Sequence, residues 1–421
     1  MRHETRFGAR MTRQTGALEL MDDLGSALAR ADADRLHLLG GGNPARIEAV
    51  EAVYRRRLRE VAADASEFGR FAGSYAAPGG ELGFRAAVAS ALADAHGWPL
   101  GPRNVGLTSG SQAAFFFLFN HFAGECADGA RTRILLPLAP EYVGYADLGL
   151  CDHLLRAQPA LVEDTGDGFF KYHVDFENLA VAPDVAALCV SRPTNPSGNV
   201  LTLEELARLD ALARAHGVPL IVDAAYGLPF PGIQHAHRAA FWNPNVVLCL
   251  SLSKLGLPGL RTGIVVADEP VIEALTAFNA TAALAPVSAG AVLVEPLLRS
   301  GELARLCEDV IAPHYRERRD LALAALREAF DGLPLRIHRP EGAFFLWLWL
   351  PGLPIPSAEL YRRLKRRGVF VLSGHHFFPG VPDDTPHRHE CLRLSYAQPV
   401  ERVRAGIAIL AEEVRRAFQG G

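Results

Sequence analysis

Ser251-Leu252-Ser253-Lys254-Leu255-Gly256-Leu257-Pro258-Gly259-Leu260-Arg261 lies between two apolar runs, Val246-Val247-Leu248-Cys249-Leu250 and Gly263-Ile264-Val265-Val266-Ala267. Runs of that length without polar alternation read as buried strands, and the hydroxyl-, glycine- and proline-rich segment between them reads as a loop. Lys254 therefore sits where strands end, the edge at which open α/β sheets place their chemistry. A lysine there has two readings. It is an ordinary loop lysine, or it is a Schiff-base lysine whose charged form is disfavoured by burial, with Ser251, Ser253 and Arg261 placed to hold a phosphate.

The upstream sequence bears on that choice. Asn104-Val105-Gly106-Leu107-Thr108 predicts a strand that turns through Ser109-Gly110-Ser111-Gln112 into a helix over 113–122. A strand, a small-residue turn and a helix start make an anion site, because free N–H groups and the helix dipole both face the turn. Ile134-Leu135-Leu136 is a strand, after which Pro140-Glu141-Tyr142-Val143-Gly144-Tyr145 is expected to open a helix; its tyrosines either pack in the core or stack on a flat ring. Residues 186–190 form the next strand and end in Arg192-Pro193-Thr194-Asn195-Pro196-Ser197-Gly198-Asn199, followed by a Thr202/Glu205 capping box for a helix to Ala215. Val218-Pro219-Leu220-Ile221-Val222 is a buried strand with Asp223 at its end and Tyr226 three residues on. A buried acid there requires a cation or hydrogen bonds.

This alternation from about 104 to 267 predicts an α/β fold whose mostly parallel central sheet is wrapped by helices. Residues 71–80 read as loop, 81–95 as helix, and 269–281, 287–299 and 302–330 as further helices. A smaller α+β unit follows, with strands at 344–350 and 391–396 and helices near 357–367 and 400–418. Near the N-terminus, Leu18, Leu20, Met21, Leu24 and Leu28 approach helical spacing, and Gly40-Gly41-Gly42 permits a close backbone approach or a plain turn.

Composition narrows the function classes. The chain has 421 residues, 49% hydrophobic and 21% charged, with a net charge of -4, so nothing in its charge supports binding to nucleic acid or to a membrane surface. Six scattered cysteines, mostly in apolar runs, read as reduced thiols, and no stretch has the length of a membrane span. The expected location is the cytoplasm.

An end-of-strand acid, a buried lysine, an anion cup at a helix start, a ring-stacking aromatic and a carboxylate-binding arginine are together what pyridoxal phosphate chemistry needs. Asn195-Pro196-Ser197-Gly198, Asp223-x-x-Tyr226, Ser251-x-Ser-Lys254 with Arg261, and Arg393-Leu394-Ser395-Tyr396 resemble the class I/II aminotransferases of pyridoxal phosphate fold type I across nearly the whole chain. Leu39–Pro44, Gly110-Ser111-Gln112, Pro137–Tyr145, Phe170–Phe176, Ser191–Asn199 and Gly374–Gly380, with Thr12-Arg13 and Leu20–Leu24, resemble a subgroup that passes the amino group of valine to pyruvate. Lys254 and Arg261 are one residue closer than the broad family pattern, a spacing that the subgroup shares.

The resemblance implies three segments: an N-terminal arm with a small-domain segment over 1–55, a large cofactor-binding domain over 56–305, and a small C-terminal domain over 306–421. It implies that Lys254 holds the cofactor and moves the substrate proton, that Asp223 pairs with the pyridine nitrogen, and that Tyr226 and Asn195 bond the ring hydroxyl. Gly110, Ser111, Ser251, Ser253 or Ser109, and Arg261 would hold the phosphate, and Tyr142 would stack on the ring. Tyr75 would reach the cofactor of a second subunit in a homodimer, and Arg393 would grip the substrate carboxylate with Asn195 and backbone near Gly42.

Other readings use the same residues, the first being a fold type I aminotransferase of other small or branched amino acids. A fold type I β-elimination lyase needs the same lysine and ring contacts and would release pyruvate and ammonia with no keto-acid acceptor. A non-catalytic regulatory domain would require a separate DNA-binding segment, which residues 1–35 are too short to supply. His375, His376, His387, His389, Glu390 and Cys391 include alternate potential ligands but no closing pair of zinc spacing, so a hydrogen-bonded loop is expected there and no metal.

Overall fold

The structure, a computed structural model, describes residues 4–12, 25, 36–382 and 384–420. The leucines and methionine of the expected N-terminal helix lie outside the described residues. In chain order the strands are β1 (His37–Leu38), β2 (Val105–Thr108), β3 (Gly124–Glu125), β4 (Arg131–Ala139), β5 (Leu155–Pro159), β6 (Leu161–Gly166), β7 (Phe169–His173) and β8 (Val185–Ser191). They continue with β9 (Leu220–Asp223), β10 (Val246–Ser251), β11 (Gly263–Val266), β12 (Arg336–His338), β13 (Phe345–Trp349), β14 (Val369–Phe370), β15 (Leu372–Ser373) and β16 (Cys391–Ser395).

The large sheet runs β2-β11-β10-β9-β8-β4-β3, with β5 also on β4. Its heart is parallel, from β10 through β9 and β8 to β4 and β5, whereas β11 is antiparallel to both of its neighbours. Register puts the functional residues at one level: Ser191 and Cys249 both lie opposite Asp223, and Ser251 lies opposite Gly263. The inner strands are apolar on both faces because helices cover both, which is why they read as continuous runs and not as alternation.

Helix Ser111–Phe122 shows how packing positions the site. Its Phe115 and Phe119 are buried against Tyr145, with centroids 5.1 and 5.3 Å from that ring. Each such side chain contributes roughly 1.5–3 kcal/mol when withdrawn from water. That anchors Tyr145 at the end of β4.

The second sheet runs β15-β16-β13-β12-β7-β6, beneath helices Ala312–Ala329, Ser357–Arg366 and Val400–Phe418. The N-terminal segment joins this unit through β1, which pairs in parallel with β14. The hairpin β6–β7 enters the same sheet from the middle of the chain, where Ile337 and His338 of β12 meet Phe169 and Phe170.

Three local expectations change. No regular helix starts at Pro140; only a single 3₁₀ turn forms over Val143–Tyr145, because the Glu141 N–H donates to the Phe377 carbonyl at 2.8 Å and the Glu141 side chain turns back to Ser191. The 71–80 loop begins as helix, with Ala65–Phe68 leading into a π turn over Gly69–Gly73. The long helix at 302–330 is broken by a π segment, Leu306–Ile311, just ahead of Pro313, which lacks the N–H that would continue the regular ladder.

Candidate active site

Lys254 sits on a 3₁₀ turn directly after β10 and points its Nζ at the Gly42 carbonyl, 2.8 Å away. The amine also stands 5.1 Å from the Tyr226 ring centroid and 5.7 Å from that of Phe344. Burial pushes its pKa down to about 8; the positive charges of Arg393 and Arg261 act the same way, and Asp223 opposes them. Ser251 Oγ receives the Ser253 N–H at 3.1 Å and so fixes the turn that carries the lysine.

Asp223 ends β9 as a buried acid, and each of its oxygens accepts one hydrogen bond: Oδ2 takes the Tyr145 hydroxyl at 2.7 Å and Oδ1 takes the Ala225 N–H at 3.0 Å, which leaves acceptor capacity toward the cavity that Asp223 lines. Burial raises its pKa, while the Tyr145 and Ala225 bonds and the nearby Lys254 pull it back. Tyr142 meets Tyr145 edge-on at 5.3 Å. Tyr226 is buried beside Phe344 and Phe345.

Opposite the lysine is a cradle. The turn Ser109–Gly110 leads into the helix from Ser111, and Gly110 has φ +93; a Cβ built there would lie 2.1 Å from Arg261 Nη2. Only glycine permits both that backbone and that approach. A helix start and a guanidinium thus converge with Ser111, Ser251, Ser253, Asp223 and Lys254 on a cavity of about 130 Å³. A second cavity of about 900 Å³ adjoins Lys254 on the side of Asn43–Ile47, Ile311 and Tyr315.

Arg393, on β16, is buried, with Nη1 donating to Asn195 Oδ1 and Nη2 to the Gly40 carbonyl, both at 2.6 Å. Its guanidinium carbon lies 4.1 Å from the Phe345 centroid, and its Nε has no hydrogen-bond partner among the described residues. Burial lowers its pKa to about 10. The glycine carbonyls divide their work: Gly40 serves the arginine and Gly42 the lysine.

Of the residues picked from sequence, Ser111, Tyr142, Asn195, Asp223, Tyr226, Ser251, Ser253, Lys254 and Arg261 line the smaller cavity. Gly110 and Arg393 adjoin it through Arg261 and Asn195, and Gly42 through Lys254. Ser109 is in the turn but not on the cavity wall, and Tyr75 is 84% exposed, away from its own chain's cavity. The histidine-rich stretch is tied up otherwise: His387 Nε2 lies 2.6 Å from the Tyr172 hydroxyl and His389 Nε2 2.6 Å from Asp384. Among the described residues no group of three or more His, Cys, Asp or Glu is placed to hold a metal ion. No described helix is long and apolar enough to cross a membrane.

Sequence reasoning missed Gln112, Ser191 and Phe115 on the cavity wall and the support given by Tyr145 and Glu141. It also gave no role to Arg192, whose three nitrogens donate to the carbonyls of Leu201, Ala239 and His237 and brace the Asn195 turn. The available signal was the placement of charged residues at the ends of apolar strands.

A lysine amine, an end-of-strand acid and an anion cradle around one small cavity define a pyridoxal phosphate enzyme of fold type I. The chain belongs to the aminotransferase class I and II family, whose model matches residues 48–408. It is 46% identical over 412 residues to the valine–pyruvate aminotransferase of Escherichia coli (strain K12), covering 98% of both chains. The structure of the protein named putative amino-acid aminotransferase from Psychrobacter arcticum 273-4 superposes with a TM-score of 0.96 at 41% identity, covering 100% of both chains. The valine-pyruvate aminotransferase structure from Salmonella typhimurium LT2 gives 0.88 at 43% identity, covering 96% of this chain and 100% of that one.

Members of the family depend on pyridoxal phosphate and act on amino and keto acids. The residues present fit that cofactor: Gly110 leaves the space beside Arg261 that a phosphate cradle requires, and the buried Asp223 carboxylate suits a protonated ring nitrogen.

Proposed function

We propose that the chain exchanges the amino group of L-valine with pyruvate, giving 3-methyl-2-oxobutanoate and L-alanine. The 46% identity to a valine–pyruvate aminotransferase along 98% of both chains carries the substrate choice. Ile47, Val50 and Ile311 on the larger cavity support it by offering apolar surface near Lys254 to an aliphatic side chain. The enzyme is cytoplasmic and a homodimer in which the exposed Tyr75 reaches the neighbouring site. Residues 1–55, 56–305 and 306–421 form the arm, large and small segments, with the β6–β7 hairpin completing the small-domain sheet.

Pyridoxal phosphate, when bound, supplies an electron sink for the substrate Cα. Lys254 would anchor it through Nζ and would carry the Cα proton of the substrate. Its depressed pKa leaves about a tenth of the amine neutral at pH 7, against roughly 3 in 10,000 for an ordinary lysine. Asp223 keeps the ring nitrogen protonated, and Tyr226 and Asn195 hold the ring hydroxyl. Tyr142 covers the ring face. The Ser111 N–H, the hydroxyls of Ser251 and Ser253 and the Arg261 guanidinium would hold the phosphate, and Gly110, whose own N–H donates to the Thr108 carbonyl at 2.8 Å, leaves room for it beside Arg261. Ser109, in the same turn, is the alternative to Ser253 as a phosphate hydroxyl. Arg393 holds the substrate carboxylate; Asn195 and the Gly40 carbonyl orient its fork, and the Gly42 carbonyl orients Lys254.

Three outcomes follow. The rate at which the cofactor-free chain takes up pyridoxal phosphate, followed by visible absorbance, rises with pH and levels off above about pH 8; a rise that continues to about pH 10.5 would mean that Lys254 titrates as an ordinary lysine. Arg393→Lys keeps the charge but loses the fork, so kcat/KM for valine falls about 10- to 100-fold, mostly through KM. Tyr145→Phe leaves Asp223 Oδ2 without its hydroxyl partner and weakens pyridoxal phosphate binding about tenfold, read by fluorescence titration. The overall reading is tested by the visible spectrum: valine should bleach the cofactor band and pyruvate restore it. Bleaching by another amino acid but not by valine would reassign the substrate.

A further inference from the structure

Glu141 is a second carboxylate beside the cavity, and none of the roles above uses it. It is fully buried, and its oxygens receive two backbone N–H groups, Ser191 at 2.8 Å on Oε1 and Tyr142 at 3.2 Å on Oε2. Oε2 also lies 2.5 Å from Ser191 Oγ. A backbone N–H can only donate, so both carboxyl oxygens accept whatever the protonation state. The hydroxyl contact alone can run in either direction.

When Glu141 is ionised, the Ser191 hydroxyl donates to it and shows the cavity only lone pairs. When Glu141 is protonated, its own O–H donates to Ser191 Oγ, and the serine hydrogen is free to donate into the cavity, whose wall Ser191 helps to form. We propose that Glu141 is a positioning residue whose carboxyl sets whether the Ser191 hydroxyl donates into the cofactor cavity or accepts from it. This rests on reading the cavity as the pyridoxal phosphate seat.

The surroundings put the change within a useful range. Burial raises Glu141 to about 8, the Ser191 bonds oppose that, and the negative charge of Asp223 adds to it. Among the described residues, the segments that meet it also carry Cys189 on β8, Tyr142 and Tyr145 on its own segment, and His375 and His376 on the turn whose Phe377 carbonyl takes the Glu141 N–H. Burial holds Cys189, Tyr142 and Tyr145 above their ordinary values and His376 below its own, so these four remain neutral while Glu141 titrates.

The test is a pyridoxal 5'-phosphate titration of the full-length protein, wild type against Ser191→Ala, from about pH 6.5 to about pH 9.5. Titration of Lys254 is common to both proteins and cancels in the ratio of their dissociation constants. The ratio should fall from about tenfold at the acid end to near unity at the alkaline end, as the donated hydrogen bond is withdrawn. A ratio that stays constant overturns the proposal. In a Glu141→Gln background the effect of Ser191→Ala should be independent of pH, and a surviving slope there also counts against it. If Glu141→Gln does not fold, the first pair alone decides. Wild type that binds no pyridoxal 5'-phosphate at any pH removes the proposed function together with this inference.

Discussion

Lys254→Ala should lower kcat/KM for valine–pyruvate exchange by at least about 10,000-fold, the upper range for losing a positioned proton carrier and with it the covalent anchor. The fold should survive, because among the described residues the side chain makes one hydrogen bond, to the Gly42 carbonyl, and it retains some exposure on the cavity wall. Circular dichroism and thermal melting should therefore match wild type while turnover is lost. Pyridoxal phosphate should still bind non-covalently through the Arg261 cradle and the Asp223 side of the seat, with weaker affinity. A variant retaining even a hundredth of wild-type turnover would mean that another group moves the proton.

Lys171→Met should have the largest effect on stability, about 3–5 kcal/mol, the usual cost of leaving one member of a buried ion pair without the other. Lys171 is buried on β7, where its Nζ contacts Glu341 Oε2 and also donates to Asn199 Oδ1 at 2.9 Å. Glu341 Oε2 in turn takes the Val200 N–H at 3.0 Å. The pair thus fastens the turn after Asn195 to both the hairpin and the 339–343 loop. Gly198, with φ +71, packs so closely on Gly342 that a Cβ would come within 2.7 Å of its carbonyl oxygen. Chemical denaturation should show the loss, and KM for valine should rise because Asn195 orients Arg393. Wild-type stability in Lys171→Met would mean that the ion pair is no better than neutral packing.

Much of this was legible because the parallel strands are covered on both faces. Continuous apolar runs that end in Ser191, Asp223 and Ser251 identify both the sheet and its working edge without knowledge of tertiary contacts. The hairpin β6–β7 was not legible: Leu161 and Val162 are exposed, Glu163 and Asp164 follow them, and its partner β12 lies more than 150 residues downstream. Local periodicity carries no record of such a pairing. Tyr145 and Glu141 escaped for another reason. A tyrosine and a glutamate after a strand are compatible with packing, ring stacking or a helix start, and only the fold shows that one caps Asp223 and the other clamps Ser191.

The central claim is that this chain carries nitrogen from valine to pyruvate through Lys254. Nitrogen-15-labelled L-valine and pyruvate incubated with the pyridoxal phosphate-loaded protein test it most directly, with alanine isolated and its label measured by mass spectrometry. Labelled alanine should appear in step with 3-methyl-2-oxobutanoate in wild type and be absent with Lys254→Ala. Wild-type protein that yields no labelled alanine, or a Lys254→Ala variant that yields as much, would contradict the account.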